Sequence, residues 1–67
     1  MSKPMTAAQM KAAQAEGKTF YTRGVRIGPI TQEGATYRAS FEVSRQLRKF
    51  EMTGPAEMLI CYTDVAA

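Results

Sequence analysis

The chain has 67 residues, with nine Lys and Arg against six Asp and Glu for a net charge of +3, one cysteine and no histidine. A chain this short makes one domain, whose folding buries only roughly 60% of the surface that the unfolded chain exposes. A single cysteine excludes an intrachain disulfide, and the lack of histidine denies a zinc site its usual ligands, so oligomerisation is the remaining way to reinforce a small core.

No apolar run approaches the length of a membrane span, and the expectation is a soluble, cytoplasmic protein. Cys61 sits within the apolar run MLICY and reads as a small buried hydrophobe in a reducing compartment rather than a reactive thiol. The positive charge is concentrated: from Lys18 to Lys49 there are seven basic residues and two acids, Glu33 and Glu42, whereas three acids and no base follow residue 50.

In chain order, PMTAAQMKAAQAEGK predicts a helix with both ends marked. Thr6 and Gln9 have the capping-box spacing, and Met5 and Met10 have that of a hydrophobic staple. Gly17 supplies a residue able to take positive φ after the last turn, and Lys18 suits the negative end of the helix dipole. The helix is rich in alanine, so Met10, with Ala7 and Ala13, is its only core stripe. Residues 1–5 are expected to fray.

Residues 36–43, TYRASFEV, alternate as a strand, with Tyr37, Ala39, Phe41 and Val43 on one face and Thr36, Arg38, Ser40 and Glu42 on the other. A three-residue loop of Gln32, Glu33 and Gly34 sets Val25 opposite Phe41, Ile27 opposite Ala39, and Pro29 opposite Tyr37. In that register Arg26 faces Ser40 and Arg38 faces Gly28, on the other side of the sheet. Pro29 cannot donate to a ladder, which points to an edge strand. Phe20 is out of phase with Val25 and Ile27, which predicts a bulge near Arg23 and Gly24.

In SRQLRKFEM, Val43, Leu47 and Phe50 have helical spacing and Ser44 is a fitting cap, which favours a short second helix over 44–51; Arg48, Phe50 and Met52 also fit a strand. Thr53, Gly54 and Pro55 make a turn. EMLICYT is apolar on both faces, the pattern of a central or doubly covered strand, and a second copy of the chain is a natural second cover. Residues 64–67 are expected to fray. The fold class is therefore α+β: one domain over 1–67, with an N-terminal helix followed by a small antiparallel sheet made of a β-hairpin and a C-terminal strand, and the short second helix at 44–51.

The chemistry of the chain points away from catalysis. General acid or base work would fall to single, scattered acids, Lys, Tyr or Cys61, none with a partner at a useful spacing, and no metal or cofactor is expected. The GVRIG stretch lies in a strand and does not lead into a helix as a phosphate loop does. The residues that can carry binding are Tyr21, Arg23, Arg26, Arg38, Arg45, Arg48 and Lys49. Two readings compete for them. One is a protein partner with an acidic surface, met through the basic sheet face and an edge strand by a homodimeric module. The other is nucleic acid, with phosphates on the cations and a base stacked on Tyr21. The register sends Tyr37 and Phe41 away from Arg26 and Arg38, which favours the protein partner. In size, helix-plus-sheet pattern and lack of catalytic groups the chain resembles the small proteins of bacteriophages and other mobile elements, and that resemblance implies a modulator or inhibitor of a host protein.

Overall fold

A computed structural model describes residues 2–43 and 48–66. It holds one helix, α1 (Ala7–Ala15), and eight strands: β1 (Lys3–Thr6), β2 (Thr19–Thr22), β3 (Val25–Ile27), β4 (Thr31–Glu33), β5 (Thr36–Val43), β6 (Arg48–Gly54), β7 (Leu59–Tyr62) and β8 (Asp64–Ala66). All pairings are antiparallel. One helix on a mostly antiparallel sheet is a strand-rich form of the α+β class. No helix among the described residues is long and apolar enough to cross a membrane.

The helix forms as its caps require. The Thr6 hydroxyl accepts from the Gln9 N–H at 3.2 Å, and the Thr6 N–H donates to Gln9 Oε1 at 3.3 Å. At the other end Gly17 has φ of 102°, and the N–H groups of Gly17 and Lys18 donate to the carbonyls of Gln14 and Ala13, a Schellman closure. Ala7 and Met10 are fully buried on the helix's core side.

The chain turns more often than its sequence indicates. The step at Arg23 and Gly24 is a two-residue hairpin turn, with Thr22 opposite Val25 and positive φ at both Arg23 (51°) and Gly24 (79°). The expected bulge is thus a reversal, and it resolves the phase problem: Phe20 and Ile27 lie on antiparallel neighbours and are both 1% exposed in one core. The second hairpin also has a two-residue turn, Gly34 and Ala35, with Glu33 opposite Thr36 and φ of 61° at Gly34.

Between β3 and β4 the register slips. Ile27 pairs with Phe41, and the Gly28 N–H donates to the Ser40 carbonyl, whereas Thr31 pairs with Arg38, so Pro29 and Ile30 together oppose Ala39. This bulge accommodates a residue without an N–H, and β3 is an interior strand between β2 and β5, not an edge. Along β3 the observed partners differ from the expected ones by two positions, which keeps Ile27 inside and Arg26 outside; past the bulge the alternation changes, so Ile30 is buried and Pro29, expected on the core face, is exposed. Ala39 is buried, and Tyr37 and Phe41 pack against the core, while Arg26 and Arg38 lie on the other side.

The larger sheet runs β4-β5-β3-β2-β8, with β6 on the other edge of β5. Residues 48–51, expected as helix, are therefore strand; the rest of the expected helix, 44–47, lies outside the described residues. Both segments expected to fray are paired: β1 lies along β7 from Lys3↔Tyr62 to Thr6↔Leu59, and β8 lies along β2. β7 is not central, because β1 is its only ladder partner among the described residues. Its inner residue Ile60 is 2% exposed, but Leu59 is 60% exposed and Cys61 is exposed, contrary to the buried thiol expected. Phe20 and Tyr62 meet edge to face at 5.1 Å, which joins the two sheets around the core of Ala7, Met10, Phe20, Ile27, Ile30, Ala39 and Ile60.

Candidate functional site

Alternation along each strand separates an inner face, under α1, from an outer face. Direct cross-strand pairing builds one row across the outer face: Asp64 on β8, Tyr21 on β2, Arg26 on β3, Glu42 on β5 and, by register, Lys49 on β6. The Arg26 guanidinium reaches Glu42 at 3.5 Å, with both side chains about half exposed. A second row holds Thr31, Arg38 and Thr53, and Arg38 reaches Glu33 at 3.7 Å. Between them Ser40 pairs with Glu51.

The outer face therefore interleaves charges. Two arginines share it with Glu33, Glu42, Glu51 and Asp64, of which the last two come from the stretch after residue 50, which holds three acids and no base. The register also spreads the arginines. Arg26 sits opposite Glu42, four residues along β5 from Arg38, a separation of about 13 Å at strand rise. Opposite Ser40, as the sequence implied, it would lie half as far away.

The remaining candidate residues divide as follows. Tyr21 is half-buried in β2, directly opposite Arg26, so this ring and cation are neighbours, whereas Tyr37 and Phe41 lie on the other face. Arg23 is exposed at the hairpin turn, where its N–H donates to Thr63 Oγ1 at 3.1 Å. Arg45 lies outside the described residues. Arg48 and Lys49 belong to β6, opposite Val43 and Glu42.

Two features escape sequence reasoning. A cleft of about 270 Å³ lies between the end of α1 and the first hairpin, lined by Gln14, Lys18, Thr19, Arg26, Ile27 and Pro29, where the helix closure brings Lys18 beside β3. In addition, Phe50 and Met52 of β6 are 57% and 43% exposed although they pair with the core residues Phe41 and Ala39. An alternating strand signal at 48, 50 and 52 was present, but the helical spacing of Val43, Leu47 and Phe50 competes with it.

Chemically, the outer face can bind. Its ion pairs are solvent-exposed, and such pairs contribute about 0–1 kcal/mol, so their guanidinium groups exchange readily onto other carboxylates. No cluster of three or more His, Cys, Asp or Glu residues placed to hold a metal occurs among the described residues. Comparison with known proteins finds no match to this chain among family models, curated proteins or solved structures.

Proposed function

We propose that this chain is a non-enzymatic protein-binding module, a modulator or inhibitor of a larger protein, whose outer sheet face meets the partner through Tyr21, Arg26 and Arg38. The observation that carries this reading is the pairing of Tyr21 with Arg26 on a face that α1 leaves open, with Arg26 and Arg38 each in an exposed ion pair, of 3.5 and 3.7 Å. Arginine and tyrosine are the residues most able to anchor an interface. A partner presenting carboxylates would replace Glu42 and Glu33 at the guanidinium groups, and its remaining surface would match a face of mixed charge.

Phosphates laid along the same face would stand beside Glu33, Glu42, Glu51 and Asp64, which favours a protein over a nucleic acid. Titration of labelled single- and double-stranded DNA and RNA at two salt concentrations tests the choice. The expected result is weak binding with little salt dependence. Tight binding that falls steeply with salt is the signature of counterion release from several phosphates, and it would replace the protein reading.

A further inference from the structure

We infer that the free edge of β6 is the seam of a symmetric dimer, in which β6 of a second copy of this chain pairs antiparallel to it about a two-fold axis through Phe50. Three observations lead there. The first is that β6 has one ladder partner, β5, among the described residues, so its other edge presents unpaired backbone N–H and C=O groups. Such edges invite another strand.

The second is the exposure along one row of the sheet. Ile27 is 1% exposed, its partner Phe41 is half-buried, and Phe41's partner Phe50 is 57% exposed. The core row runs out to the edge and ends on an uncovered ring. The next row does the same, from buried Ala39 to Met52 at 43% exposure. A second copy centred on Phe50 continues the first row with its own Phe50 and lays position 48 alongside Met52.

The third is charge complementarity, which selects the register. A two-fold axis normal to the sheet keeps both inner faces on one side, so paired residues have the same parity and one residue faces its own copy. Centring on Lys49 or Glu51 opposes like charges, which is destabilising. Centring on Met52 leaves Glu51 opposite Thr53 and Phe50 opposite Gly54. Centring on Phe50 sets Lys49 opposite Glu51 in both halves and Phe50 against Phe50 of the second copy. Aromatic pairs and opposite charges are the stabilising cross-strand combinations. The result is an isologous interface with an unbroken row Ile27, Phe41, Phe50 continued by its two-fold-related copy.

This dimer stands apart from the outer-face reading, since its seam lies along the free edge of β6 and uses none of Tyr21, Arg26 and Arg38. Sedimentation of the full chain at micromolar concentration is expected to give a dimer, and a monomer would overturn the proposal. The register is read by cross-linking in a Cys61→Ser background, which removes the exposed native thiol. Phe50→Cys is expected to form an intermolecular disulfide under oxidised glutathione, because a residue facing its own copy lies within the usual Cα reach of about 7 Å. Met52→Cys is expected to form none, because the two copies of position 52 are four residues apart along the seam, about 14 Å. A dimer that cross-links at 52, or fails to cross-link at 50, has a different seam and contradicts the proposal.

Discussion

The Gln14 side chain stands in for a missing strand at Ile30. The Ile30 N–H donates to Gln14 Oε1 at 2.8 Å, and Gln14 Nε2 donates to the Gly28 carbonyl at 2.9 Å. The bulge at Pro29 and Ile30 takes this stretch out of the β5 ladder, and one helical amide satisfies both orphaned groups. Both bonds are partly buried, so removing them leaves polar backbone groups without partners. Gln14→Ala is expected to destabilise the fold by about 1–3 kcal/mol, read as a lower midpoint in urea unfolding. Gln14→Glu keeps an acceptor for Ile30 but loses the donor to Gly28, and it is expected to fall in the same direction.

The same bulge makes Gly28 a position where size matters. A Cβ there would lie 2.5 Å from Ser40 Oγ and 3.2 Å from the Ser40 carbonyl oxygen. Gly28→Ala is expected to cost about 1–3 kcal/mol through overpacking. Ser40→Ala removes the closer of the two atoms, so the double variant is expected to lose less than Gly28→Ala alone. A double-mutant cycle by urea unfolding measures this coupling; simple additivity would mean that the backbone contact dominates.

Thr6 joins β1 to α1 and completes the capping box. Its replacement by alanine is expected to cost about 1 kcal/mol, because one helical N–H loses its acceptor. In a domain of this size that is a fall of about 4–8 °C in thermal midpoint.

The exposed ion pairs behave differently. Arg26→Ala and Arg38→Ala are each expected to change stability by less than about 1 kcal/mol, with 1 M salt having a similarly small effect on the parent chain. Thermal unfolding at two salt concentrations checks this. Small effects would mean that outer-face variants remain folded and that their binding can be compared directly.

Alternation carried much of this structure in the sequence. It sorted Tyr37, Ala39 and Phe41 from Arg38, Ser40 and Glu42, and the Thr6, Gln9 and Gly17 signals located the helix, because both are local properties of side chains and caps. Turn geometry was less legible. Arg23 takes a positive φ that asparagine or aspartate would have advertised, so a reversal looked like a bulge; separately, the two-residue turn at Gly34 and Ala35 and the bulge at Pro29 and Ile30 moved the β3–β5 register by two positions. β7 misled for another reason. Its apolar residues on both faces implied two covers, whereas the fold covers only the Ile60 side and leaves Leu59 and Cys61 exposed. The mixed charge of the outer face was not readable at all, since Asp64 and Glu51 reach it through pairings distant in the chain.

The most direct measurement of the central claim is affinity capture from the source organism with the parent chain and with the Arg26→Glu, Arg38→Glu double variant, after nuclease treatment and with circular dichroism confirming equal folding. The account predicts that a defined protein is retained by the parent and lost by the double variant. Equal retention by both would place binding elsewhere on the molecule, and material that disappears with nuclease treatment would mean that the face serves nucleic acid.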